Sequence, residues 1–159
     1  MPSAPAVLVV DIGGSHVKLF ASASRETASF RSGPTFGPDA LVERVRELAT
    51  SWEYDVVSIG YPGAAGPGGI AGEAGNLGTG WTEFDFAGAL ERPVRVVNDA
   101  AMQALGAYDG GRMLFLGLGT GVGSTLVGER VLIPLELGCL TRPSGQTLFE
   151  LLGKEGLAR

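Results

Sequence analysis

A chain of 159 residues is long enough to bury a sizeable core and holds one domain, or one domain and part of another. With a net charge of −5, no cluster of Lys or Arg and no apolar segment of membrane-spanning length, neither a nucleic-acid surface nor a membrane is an expected partner. Cys139 is the only cysteine, which excludes a disulfide framework and a Cys-based zinc site; the N-terminus lacks a basic region followed by a signal-type core, so the expected compartment is the cytoplasm.

Val7 to Val10 is a run of four apolar residues, rich in β-branched types, and reads as a strand buried on both faces. Asp11 ends it, Gly13 and Gly14 turn the chain, and His16 to Phe20 returns as a second strand carrying Lys18. Without Cβ atoms at Gly13 and Gly14, backbone N–H groups beside Ser15 can approach an anion closely, as in the nests that hold phosphate. Asp11 would face the same anion only with a metal between them, which makes it a candidate Mg²⁺ ligand. The same residues would also make a plain hairpin whose glycines serve the turn alone, with Asp11 a solvated strand end.

Arg25 to Arg31 alternates weakly and reads as a third antiparallel strand, broken by Pro34 to Pro38. Asp39 to Trp52 places Leu41, Val45, Leu48 and Trp52 on one face and Glu43, Arg44, Arg46 and Glu47 away from it, an amphipathic helix. Asp55 to Gly60 is another short strand, and three strands, a helix and a strand begin a mixed α/β sheet. Tyr61 to Gly80 is a long irregular, Gly-rich stretch; such a loop inside a compact domain is usually functional, and this one is expected to lie close over its surroundings. Its Asn76 both donates and accepts hydrogen bonds, which suits a sugar hydroxyl and equally suits an Asx-turn.

Trp81 to Glu91 reads as a turn into a short helix, Val94 to Val97 as a strand, and Ala100 to Tyr108 as a helix. Asn98 and Asp99 therefore fall where a strand's carboxyl end meets a helix start, the place where α/β sheets put ligands. Either residue also suits a plain helix cap, while as a ligand-side group an ionised Asp99 accepts a proton from a hydroxyl. After Asp109, Met113 to Leu118 is an apolar strand, Gly119-Thr120-Gly121 a polar tip, and Gly123 to Gly128 the return. This second hairpin echoes the first, and together they suggest two lobes facing each other across a phosphate chain. GLGTGVGS lacks the spacing of a dinucleotide fingerprint, and no P-loop occurs in the chain. Thr147 to Ala158 reads as one helix with Leu148, Leu151, Leu152 and Leu157 on its apolar side.

Four motifs in order carry a resemblance. DIGGSHVK at 11–18 resembles the first phosphate motif of the actin-like ATPase fold shared by sugar kinases and actin, and GLGTGVGS at 117–124 resembles the second. NDA at 98–100 and ELGC at 136–139 narrow the likeness to the ROK sugar kinases, and within them to the polyphosphate-glucokinase branch. The resemblance implies an α/β fold: a ribonuclease-H-like mixed sheet as the N-terminal lobe over 1–110, then the beginning of a second similar lobe over 111–159. It further implies phosphoryl transfer from polyphosphate or ATP, with Mg²⁺, to the primary hydroxyl of glucose or a similar hexose. Asp99 matches the catalytic base, and Asn98, Glu136, Asn76 and position 139 match residues that hold the sugar. Asp11, Gly13, Gly14, Ser15, Gly119, Thr120 and Gly121 match the phosphate and Mg²⁺ surroundings, with Lys18 a candidate to neutralise a phosphate.

Two departures qualify the match. The family's E-x-G-H ends here in Cys139, so a sugar-contacting histidine is missing, and the family's Cys-rich zinc motif is absent. The chain also stops at Arg159, inside the last helix, whereas the resemblance implies further strands and helices that include the adenosine-binding segment. A truncated product, a fragment or a divergent short form is expected, with an uncovered apolar sheet face that favours self-association and a homodimer. The alternative to a kinase is a catalytically impaired sugar- or phosphate-binding module of ROK type. No helix-turn-helix precedes Val7, which disfavours a DNA-binding repressor.

Overall fold

The computed structural model describes residues 4–119 and 121–158. β1 (Val7–Ile12) and β2 (His16–Ala21) form the expected antiparallel hairpin, with Asp11 opposite Lys18. β3 (Thr27–Arg31) starts two residues later than expected, because Arg25 has a left-handed φ of 65° that no strand accommodates. α1 (Pro38–Leu48) has Pro38 in its first turn and stops short of Trp52, where the Thr50 hydroxyl donates to the Arg46 and Glu47 carbonyls.

β4 (Val56–Tyr61) is followed by a small hairpin, β5 (Ala65–Gly66) with β6 (Gly69–Ile70), inside the stretch expected to be irregular. α2 (Phe86–Leu90) is capped by Asp85, whose carboxylate accepts from Gly88 N–H at 2.9 Å. β7 (Val94–Asn98) runs directly into α3 (Asp99–Ala107). The sheet order is β3-β2-β1-β4-β7, antiparallel from β3 to β1 and parallel from β1 to β7. That is the mixed α/β sheet the sequence predicts.

β1 is fully buried on one face only. Leu8, Val10 and Ile12 are sealed against Leu41, Val42 and Val45 of α1, while Val7, Val9 and Asp11 on the other face are half-buried. The expected two-sided burial fails because β1's alternation puts the carboxylate of Asp11 on that second face. An aromatic chain then links the loop to the core: Phe36–Trp81, Tyr61–Trp81 and Trp81–Phe86 ring centroids lie 6.2, 5.5 and 6.2 Å apart. Trp81 is only 1% exposed. Burying a side chain of that size, about 150–250 Å², stabilises the fold by roughly 4–6 kcal/mol at about 25 cal/mol per Å².

The chain divides into two compact units, Met1–Asp99 and Ala100–Arg159, so that nearly all of α3 belongs to the second. There, β8 (Met113–Leu118), β9 (Val122–Gly128) and β10 (Val131–Leu135) form an antiparallel sheet in the order β10-β9-β8. β10 is absent from the sequence reading, since Pro134 interrupts VLIPL. The two-residue turn Glu129-Arg130 explains why proline is tolerated. The flanking Gly128–Val131 pair is hydrogen-bonded, so Thr125–Pro134, three pairs on, is not, and the missing N–H points outward at a sheet edge.

α3 packs on one face of this sheet, where a Cβ on Gly123 would come within 3.0 Å of the Ala100 methyl. On the other face Leu114, Leu116, Leu118, Leu126 and Ile133 remain 38–55% exposed, so the expected uncovered apolar face is present. The predicted last helix is two short ones, α4 (Leu148–Leu152) and α5 (Lys154–Leu157). Gly153 between them is extended, and Thr147 with Glu150 forms a capping box at the start of α4. Two hydrogen bonds from Thr147 hold the Glu150 carboxyl below its ordinary range. No described helix is long and apolar enough to cross a membrane.

Candidate active site

Parallel pairing of β1, β4 and β7 brings three strand ends to one edge of the first sheet. Register sets Asp11 beside Gly60 and Tyr61 beside Asn98, so Asp11 and Asn98 lie two strand spacings apart, roughly 10 Å. Asn98 Nδ2 donates to Gly63 O at 3.2 Å, tying the end of β7 to the start of the loop. Asp99, half-buried, is the first residue of α3, where the positive end of the helix dipole favours its ionised form.

The first glycine turn is tightly built. Gly13 N–H donates to His16 O at 2.9 Å, so it closes the hairpin instead of facing an anion, contrary to the reading in which both glycine N–H groups are presented. Ser32 pins the turn from outside: its hydroxyl donates to Gly13 O at 2.6 Å and its N–H to Ser15 O at 3.1 Å. Among the described residues nothing accepts from the N–H groups of Gly14 and Ser15, which are the donors left at the tip. Lys18 is exposed on β2, opposite Asp11.

Asn76 stands directly on this turn. A Cβ at Gly14 would overlap Asn76 Nδ2 and lie 3.1 Å from its Cγ, so only glycine permits the approach. Asn76 itself is exposed, and its amide makes no hydrogen bond among the described residues. The 61–80 segment holds it there from below. Tyr61, fully buried, accepts from Ala74 N–H at 2.7 Å and donates to Gly72 O at 3.2 Å, while Ala74 and Leu77 sink into the core on either side of Asn76. Burial raises the Tyr61 pKa above its ordinary 10.0, the negative charge of Glu73 adds to the rise, and the Ala74 N–H opposes it. Neither Tyr61 nor Ser32 is legible as a site-building residue in the sequence, because each acts through hydrogen bonds to residues more than ten positions away.

The candidates of the second unit form their own cluster of turns. Gly119 N–H donates to Gly121 O at 3.0 Å across the hairpin tip, and Thr120 lies outside the described residues. Gly121 is covered on its Cα side by the Phe149 ring, 2.7 Å from a would-be Cβ at Cδ2, a contact the sequence reading does not contain. Glu136 and Cys139, both exposed, begin and end a single 3₁₀ turn, with Cys139 N–H donating to Glu136 O at 3.0 Å. Ser124, buried in β9, fixes that turn by donating to Leu135 O at 2.8 Å and accepting from Leu137 N–H at 3.2 Å. Among the described residues no group of three or more His, Cys, Asp or Glu side chains gathers to hold a metal.

A mixed sheet with its polar side chains at the carboxyl ends of parallel strands, followed by a second hairpin-led unit, is the α/β architecture of the actin-like ATPases. Solved structures similar to this chain are sugar kinases of that fold. The inorganic polyphosphate/ATP-glucomannokinase of Arthrobacter sp. strain KM superposes with a TM-score of 0.78 at 27% identity, over 99% of this chain and 71% of that one. A ROK family protein from Streptococcus pneumoniae, solved with sucrose, gives 0.73 at 19% identity, over 97% and 60%. The ROK hexokinase of Thermus thermophilus gives 0.65 at 21% identity, over 96% and 61%. The structural neighbours are thus ROK-family sugar kinases, and this chain has their fold along nearly its whole length while spanning about three-fifths to seven-tenths of theirs. No protein-family model and no curated protein sequence matches it.

Proposed function

We propose that this chain carries the sugar and phosphate residues of a ROK-type glucokinase, which transfers a phosphoryl group from polyphosphate or ATP to the primary hydroxyl of glucose or a similar hexose. The observation that carries the reading is the placement of Asn76 on the Gly14 turn, in the same unit and at the same sheet edge as Asn98 and Asp99. Asn76 and Asn98 supply amide groups of the kind that hold sugar hydroxyls, and Asp99 accepts the proton of the attacking hydroxyl. Gly14 and Ser15 N–H groups face the transferred phosphate, and Lys18 adds positive charge on the neighbouring strand. In the second unit, Gly119 and Gly121 make the corresponding turn for donor phosphate, and Glu136 offers a carboxylate to sugar hydroxyls.

Mg²⁺ is held in phosphoryl-transfer sites by one or two carboxylates together with substrate phosphates and water, so Asp11 alone fits as the protein ligand. The ion would neutralise charge on the donor phosphates when bound. One observation favours the second reading, a module that binds sugar or phosphate without turnover: the Phe149 ring closes one side of Gly121. Asp99→Asn separates the two. In a kinase it leaves glucose affinity nearly unchanged by calorimetry and lowers turnover by roughly 10²–10⁴-fold, the usual contribution of a general base. Turnover of the variant within a few-fold of the parent refutes Asp99 as the base, and a parent that binds glucose but never turns over supports the second reading.

A further inference from the structure

Glu73 closes the base of the segment that presents Asn76. Its Oε1 accepts from the N–H groups of Gly80, Trp81 and Thr82 at 3.2, 3.1 and 3.4 Å, and from the Thr82 hydroxyl at 3.3 Å. Its second oxygen lies 3.4 Å from Trp81 N. Among the described residues no Lys or Arg forms an ion pair with it, so its charge is met by backbone N–H dipoles, in the manner of an anion in a nest. The loop so closed, 73–82, is nailed down at two further points. Trp81 Nε1 donates to Gly78 O at 2.8 Å, and Gly78 N–H donates to Phe36 O at 3.0 Å, with Gly78 so near Thr35 that a Cβ would lie 3.0 Å from its carbonyl.

Asn76 lies between two buried residues of this closed loop, Ala74 and Leu77, with Trp81 buried further on, and its amide presses on Gly14. We infer that Glu73 is a positioning residue: its carboxylate holds the loop shut so that Asn76 stays on the first glycine turn. The structural half of that statement is independent of activity, and the functional half, that the sugar is thereby set against the phosphate turn, rests on the kinase reading. An alanine at 73 removes every acceptor at once, leaving Gly80, Trp81 and Thr82 N–H to water. Gln keeps one carbonyl oxygen in place but replaces the other with an NH₂ donor and removes the charge, which weakens the remaining bonds by about half.

Two measurements on the full chain test it. Amide hydrogen exchange of Glu73→Ala is expected to be faster over 74–82 and also over 13–16, with β8 and β9 unchanged, and Glu73→Gln falls between Ala and the parent. If the parent phosphorylates glucose, Glu73→Ala raises the glucose KM roughly three- to tenfold, the loss of one positioned hydrogen bond, while the donor KM and kcat move much less. Unchanged exchange at 13–16 in Glu73→Ala overturns the inference whether or not sugar binds, as does a Gln variant that exchanges as fast as Ala. A kcat loss equal to the KM change overturns it too, since it marks a general disturbance of the fold. Coupled exchange in a chain that binds no sugar sinks the kinase reading and leaves the positioning intact.

Discussion

Gly14→Ala is the sharpest probe of the assembled site. The position has no left-handed φ, so the alanine backbone is unstrained, and the three atoms nearest the new methyl all belong to the Asn76 side chain, at 3.1 Å from Cγ and 3.3 Å from Cβ, with Nδ2 closer still. Asn76 is exposed and rotates away at little cost, so the stability loss is expected near or below 1 kcal/mol, under the roughly 1–3 kcal/mol of an overpacked core. The affinity loss is larger in proportion. Displacing one amide that hydrogen-bonds the sugar removes about 0.5–1.5 kcal/mol, or roughly a two- to twelvefold weaker glucose complex. A double-mutant cycle with Asn76→Ala isolates the cause: once Asn76 is truncated to its Cβ, the Gly14 methyl has no amide to displace, and the two losses do not add. Calorimetric glucose titration with urea unfolding gives both quantities, and Gly68→Ala, where nothing lies within 4 Å, is the silent control. Losses that add in full, or a Gly14→Ala chain that binds glucose like the parent, refute the contact as a functional one.

Tyr61→Phe removes the acceptor of a buried N–H at Ala74 and is expected to cost about 1–3 kcal/mol, read as a lower urea midpoint. Because burial raises the folded Tyr61 pKa above 10.0, the parent's stability is fully present below that value and declines as pH rises through the raised one. The variant lacks this decline, so the gap between the two should narrow above pH 10; a constant gap counts against the burial account. Thr125 has its hydroxyl buried with no partner among the described residues, and Thr125→Val should stabilise the chain by up to about 1–2 kcal/mol. A loss of stability there means that the hydroxyl does have a partner, such as a trapped water.

The strands and turns of the first unit are legible in the sequence because each is local. A β-branched run before Asp11, a Gly-Gly turn and a 3.6-residue apolar period after Pro38 act within a few residues of chain, and the structure departs from them mainly at their ends. β10 is hidden because Pro134 is forbidden inside a sheet and allowed at its outer edge, and only pairing with β9 decides which of the two it meets. The break at Gly153 is hidden likewise, since the leucine period continues through it. The order of motifs from Asp11 to Cys139 is sufficient to suggest the class of chemistry. What the motifs cannot state is which groups have spent their hydrogen bonds. Gly13 N–H is consumed by His16, Asn76 is held on Gly14 by a carboxylate at one end of its loop and a buried tyrosine beneath it, and Phe149 rests on Gly121. Such contacts join residues up to 62 positions apart, as Gly14 and Asn76 are, and a hydrogen bond or a steric limit at that separation exists only once the sheet has brought the strand ends together.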